Sequence, residues 1–201
     1  MKILVIGDIH GKIVHSREEV DAVFIAGDFT NARDDSFAEE VLDILQGDIY
    51  AVPGNMDRKG VAEILDRKGV NIHLKVKKLG EISVSGYGGS NPTPFNTPFE
   101  IEDSVIAEHL SKMENVDVAI FHAPPFGYFD EVNGQHVGSR AIRDWILENK
   151  PAIAICAHIH EHQGVAKISD TILIKVGMAS KGDVALVELR DEDIIVRFLR
   201  C

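Results

Sequence analysis

Cysteine is scarce in this chain. Cys156 and Cys201 are the two present, and they form neither a CxxC pair nor a spaced framework. That excludes a disulfide scaffold and sets the expected location as the reducing cytoplasm. Cys156 sits in an apolar run and reads as a small buried side chain. Basic residues are few as well, 21 Lys+Arg against 32 Asp+Glu, for a net charge of −11. Nucleic acid and membrane surfaces call for a basic footprint, so neither is expected as a partner. A phosphate substrate stays open, because bound cations reverse the local field. No apolar stretch is long enough to cross a bilayer. The run over residues 1–7 is too short for a signal-peptide core and is expected to stay as a strand. Fixed-period repeats, low-complexity tracts and linkers are also missing, so the 201 residues are expected to form one domain spanning 1–201.

What is present alternates. Residues 2–7 and 22–27 are continuous apolar runs closed by Gly-Asp, the pattern of buried parallel strands. Helical spacing over 35–46 gathers Phe37, Val41, Leu42 and Leu45 on one side. A strand is predicted over 48–52, stopped by Pro53-Gly54, then a helix over 59–68 ending at Gly69. Two or three short strands follow within 70–87, with a turn near Lys78 to Glu81. After a Gly/Pro/Asn/Thr loop over 88–99 come a helix (102–114), a strand (117–121), a second long loop (122–137), a helix (138–149) and a strand (152–156). The tail, 163–200, reads as four short strands in hairpins, with turns at Ser169-Asp170 and Asp191-Glu192-Asp193. Helices between the early strands imply a parallel sheet. The late hairpins imply a second sheet or a long antiparallel extension. Two mixed sheets packed face to face, with helices outside, satisfy both halves.

Five patches each end an apolar run: Asp8-Ile9-His10, Gly27-Asp28, Gly54-Asn55, Phe121-His122-Ala123-Pro124 and His158-Ile159-His160. Strand ends on one edge of a sheet converge, so their donors can meet. Carboxylate, imidazole and amide oxygen together suit Mn, Fe, Zn, Co or Ni. Asp28, with two oxygens, is the candidate bridge between two ions. Two ions about 3.5–4 Å apart bind a shared hydroxide that attacks phosphorus. A lone Asp or His after a strand is more often a turn residue or cap, and Asn55 after Pro53-Gly54 also fits a left-handed turn.

These patches resemble the calcineurin-like metallophosphoesterase superfamily, whose pattern runs D-x-H, G-D, G-N-H-[DE], H and G-H-x-H. The chain shows GDIH, GD, GNMD, FHAPP and AHIHE in that order. Together with SNPTPFNTP, the HAPP and HIHE motifs resemble the Icc-related predicted phosphoesterases. The resemblance implies a four-layer α-β-β-α sandwich. It also implies two divalent ions, one held by Asp8, His10, Asp28 and His160, the other by Asp28, Asn55, His122 and His158. Two departures stand out. Ala157 replaces a Gly, and Met56 replaces the His near the leaving group, so Asp57 lacks its usual partner. Met carries no ionisable proton. Asp57 is read either as an active-site residue beside Asp28 and Asn55 or as a helix cap. His136 is read either as an exposed loop residue or as a substitute proton donor. His15, His73, His109 and His162 fit surface or packing positions. Loop 88–98 reads as a substrate wall, with Asn91 and Asn96 as hydrogen-bonding candidates, or as a Pro-braced connection.

The expected activity is hydrolysis of small phosphate esters, foremost phosphodiesters with acidic leaving groups. A phosphomonoesterase or nucleotidase on the same site is the nearest alternative. A non-catalytic metal-binding scaffold and a nuclease are the more distant ones, and a homo-oligomer stays open.

Overall fold

A computed structural model describes residues 1–13, 18–32, 34–190 and 193–201. His15 and the turn residues Asp191 and Glu192 lie outside the described residues. The first half runs β1 (Lys2–Ile6), β2 (Ala22–Ala26), α1 (Phe37–Ile44), β3 (Asp48–Val52) and α2 (Lys59–Arg67). Then follow β4 (Lys77–Leu79), β5 (Ile82–Tyr87), α3 (Asp103–Leu110), β6 (Val118–Phe121), β7 (Glu131–Val132), β8 (Gln135–His136), α4 (Arg140–Asn149) and β9 (Ile153–Cys156). The tail forms β10 (Gly164–Ile168), β11 (Thr171–Lys175), a 3-10 turn (Ala179–Lys181), β12 (Asp183–Arg190) and β13 (Asp193–Arg200).

The strands divide between two mixed sheets, ordered β13-β12-β1-β2-β3 and β10-β11-β9-β6-β5-β4. Strands β1-β2-β3 of the first and β11-β9-β6-β5 of the second run parallel, and β2, β6 and β9 are buried on both faces, which is why these three read as unbroken apolar runs. One core lies between the sheets and includes Ile3, Phe24, Val52, Ile120, Ile155 and Ile174. A second packs α1 and α2 against the outer face of the first sheet, through Val41, Leu42, Val61 and Leu65. A third packs α3 and α4 on the other sheet, through Ile106, Leu110, Ile142 and Trp145. This is the expected four-layer α-β-β-α sandwich.

The late hairpins do something more specific than either expectation. β10 and β11 extend the second sheet, whereas β12 and β13 return to flank β1 in the first. The helix expected over 102–114 stops at Leu110. The loop expected over 122–137 contains the β7–β8 hairpin, turned by Asn133 (φ 50°) and Gly134 (φ 75°). Positive φ at both central residues is the type I′ geometry that Asn-Gly favours.

Candidate metal centre

β1, β2 and β3 end at Ile6, Ala26 and Val52, and β6 and β9 end at Phe121 and Cys156. The turns beyond them bring all seven expected donors together. Backbone bonds lace these turns: Asp8 N donates to Gly27 O (3.1 Å), His10 N to Asp28 O (2.8 Å) and Ala157 N to His122 O (2.9 Å). Asp8, His10, Asp28 and His158 all hold left-handed backbone, with φ of 55°, 48°, 57° and 71°. Such strain persists only where the surroundings impose it, and it gathers at functional sites. Ala157, in place of the usual Gly, sets its methyl 2.7 Å from where a Cβ on Gly7 would stand. The bare backbone of Gly7 makes room for it.

The donors fall into two groups, Asp8-His10-His160 and Asp28-His122-His158, and within each group the donor atoms lie within 4.8 Å of one another. Asp28 stands between them, with Oδ2 at 3.6 Å from His10 Nε2 and Oδ1 at 3.5 Å from His122 Nε2. Its Oδ1 also accepts from Met56 N (2.8 Å). His160 Nε2 lies 3.7 Å from Asp8 Oδ1 and 3.1 Å from His10 Nε2. Both oxygens of Asp8 accept from His158 N at 3.1 Å.

His122 shows what these residues fit. Its Nδ1 lies 2.7 Å from Ala26 O, and a carbonyl only accepts, so Nδ1 carries the proton. Burial drives the ring's pKa down to about 4, so at neutral pH Nε2 is a bare lone pair. It faces Asn55 Oδ1 at 2.8 Å, and the Asn55 amide nitrogen is turned the other way, to Thr97. Two acceptors therefore oppose each other at hydrogen-bond distance, an arrangement that a cation between or beside them relieves. Burial likewise lowers His158 to about 3 and lowers His10, keeping both neutral as ligands require. Burial and the nearby charges of Asp57 and Asp8 push Asp28 well above the usual carboxylate range. Burial also opposes ionisation of Asp8, but His160 and Lys175 outweigh it and hold that carboxyl low.

Asp57 does not cap the helix that follows it. The N-cap of α2 is Arg58. Asp57 is buried, and its two oxygens accept from Phe29 N, Thr30 N, Thr30 Oγ1 and Gly54 N at 2.8–3.1 Å. It braces the turns carrying Asp28 and Asn55. His136 is exposed on β8, as the first of its two readings has it. Its Nδ1 is tied to the buried Asp130 (2.7 Å), its ring packs against Phe126, and it is not among the residues lining the cleft over the donors.

That cleft encloses about 860 Å³. Met56, Pro94, Phe95, Val137 and Ile159 line it, with Asn91 and Asn96 among the polar contributors. Residues 91–98 of the long loop thus form one side of the cleft. Asn91 Nδ2 donates to Val137 O (2.9 Å), joining the two long loops, and Phe95 stands 81% exposed.

Three contributors escaped the sequence reading. Lys175 is fully buried, donates a hydrogen bond to Val176 O (2.7 Å) and shares its field with Asp8. A charge inside the run Thr-Ile-Leu-Ile-Lys-Val was its signal. Glu161 joins the cleft lining directly after the last donor. Glu100 accepts from the backbone and hydroxyl of both Thr93 and Thr97, and no local pattern marks it.

Residues 1–162 match the family model described as calcineurin-like phosphoesterase. An uncharacterised protein of Methanocaldococcus jannaschii is 36% identical over 190 residues, covering 87% of each chain. A crystal structure from Thermus thermophilus aligns with a TM-score of 0.72 at 17% identity, over 98% of this chain and 97% of that one. A dimetal phosphatase from Danio rerio aligns at 0.63 and 12% identity, over 98% and 95%. At such identities the two structures speak for the fold alone. The chain belongs to the calcineurin-like phosphoesterase family and is a metal-dependent phosphoesterase.

Proposed function

We propose that the chain hydrolyses small phosphodiesters and prefers those with an apolar, acidic leaving group. Asp8, His10, Asp28 and His160 would hold one divalent ion, and Asp28, Asn55, His122 and His158 the other. The observation that carries this reading is the Asp28 carboxylate, which turns one oxygen to each donor group at 3.6 and 3.5 Å. A single bridging acid can serve both ions. The mixed set of acids, imidazoles and an amide oxygen suits Mn, Fe, Co, Ni or Zn. When bound, two such ions would supply a strong nucleophile from water near neutral pH and draw charge from the phosphoryl oxygens.

The chain's own residues supply position and exclusion. Neutral, buried imidazoles keep their lone pairs available. Met56 N donates to Asp28 Oδ1 and so restrains the carboxylate that would serve both ions. The apolar walls at Pro94, Phe95, Val137 and Ile159 suit the organic groups of a diester and keep water from them. Met56 lines the cleft where the family pattern carries His, and its thioether has no proton to give. Departure then depends on the leaving group's own acidity.

A series of diesters with leaving groups from nitrophenols to simple alcohols tests this with Mn²⁺-loaded protein. Turnover should fall steeply as the leaving group becomes more basic, and Met56→His should help the alkyl esters most. A flat series contradicts the missing donor. Faster turnover of matched monoesters replaces the diester reading with the monoesterase one.

A further inference from the structure

We infer that Thr97 and Glu100 are positioning residues that set the orientation of the Asn55 amide, and through it the strength of one ion site; this rests on the two-ion reading above. An ionised carboxylate only accepts hydrogen bonds. The Thr97 hydroxyl lies 2.6 Å from Glu100 Oε1, so its single proton points there. Its oxygen is left as an acceptor facing Asn55 at 2.8 Å, and the Asn55 group opposite it must be the NH₂ end. Oδ1 is thereby turned to His122 Nε2. Glu100 is itself held by the Thr93 and Thr97 amides (3.1 and 2.7 Å), and Phe99 N donates to Asn55 O (3.0 Å). The cleft wall and the ligand thus share one chain of bonds.

Without the Thr97 hydroxyl, nothing described resists a half-turn of the amide. The NH₂ end would then meet His122 Nε2 and form an ordinary hydrogen bond that occupies the ligand's lone pair.

Calorimetric titration of the metal-free, full-length chain with MnCl₂ reads the effect. The unsubstituted chain and Thr97→Ser should take up two ions with matching affinities. Thr97→Val should keep one site and weaken the other about tenfold to a hundredfold, the usual range for losing an outer-shell partner. Two unaltered sites in Thr97→Val overturn the relay. No ion bound to the unsubstituted chain overturns the two-ion reading instead. ¹H–¹⁵N spectra of metal-free protein then judge the relay separately. They should place the Asn55 amide protons beside Thr97, and beside His122 in Thr97→Val. An amide unmoved by that substitution overturns it. If Thr97→Val does not fold, freely rotating Asn55 amide protons in the unsubstituted chain do so.

Discussion

Gly54 sits where the Gly-Asp turn after β2 meets the Gly-Asn turn after β3. A Cβ on it would stand 2.0 Å from Asp28 Oδ1 and 2.2 Å from the Asp28 amide nitrogen. Its need for glycine is therefore close approach. Gly69 is the converse, with φ at +71° and nothing within 4 Å of a Cβ. Gly69→Ala should cost about 1 kcal/mol, the strain of one left-handed residue. Gly54→Ala must push the Asp28 carboxylate aside and should cost about 3 kcal/mol, the upper end for overpacking, with loss of Mn²⁺ binding. Urea unfolding measures both, and equal losses would contradict this account. The donors beside Gly54 were legible because each is punctuated: an apolar run, a glycine or proline, then an acid, amide or imidazole. The charge of Lys175 stood out in its apolar run, but its neighbour did not, since Asp8 follows a strand of the other sheet and no local pattern pairs them.

Loops 91–98 and 131–137 show how far turn chemistry could be read. Asn133-Gly134 is a hairpin signal with a known mechanism, yet the flanking strands have two residues each, too short for alternation to show. The helices and central strands were legible because their faces bury against a layer and impose a period. The wall loop has no such period, and its order comes from Glu100. Partial burial raises that carboxyl's pKa, but the bonds from Thr93 and Thr97 outweigh it and bring it to about 2, against an ordinary 4.5. The folded state thus binds this proton more weakly than the unfolded chain does. Its contribution to stability is complete above pH 4.5 and is lost as pH falls toward 2. Glu100→Gln should therefore be less stable than the parent chain at neutral pH. Its deficit should shrink through that acid window, followed by denaturation at a series of pH values. A deficit independent of pH would mean that shape, not charge, makes Glu100 useful.

The two sheets meet along one core, but at the rim they are joined through the donors. Asp8, His10, Asp28 and Asn55 follow strands of the first sheet; His122, His158 and His160 follow strands of the second. Under the proposed assignment each ion takes ligands from both sheets, so binding ties the layers together. It also places positive charge among buried acids in a chain of net charge −11. An ion that binds only the folded state stabilises it by about 2.7 kcal/mol at a hundredfold excess over Kd. For a chain of this length that raises the unfolding midpoint by roughly 5–10 °C. Adding MnCl₂ to metal-free protein should produce this rise, and EDTA should reverse it. Asp28→Asn removes the shared charge, and should lose most of the gain while its metal-free midpoint holds or rises, since burial and the charges of Asp57 and Asp8 disfavour a charge on Asp28. If the midpoint of the parent chain ignores Mn²⁺, the ions do not clasp the sheets; if Asp28→Asn gains as much as the parent, Asp28 is not the bridge.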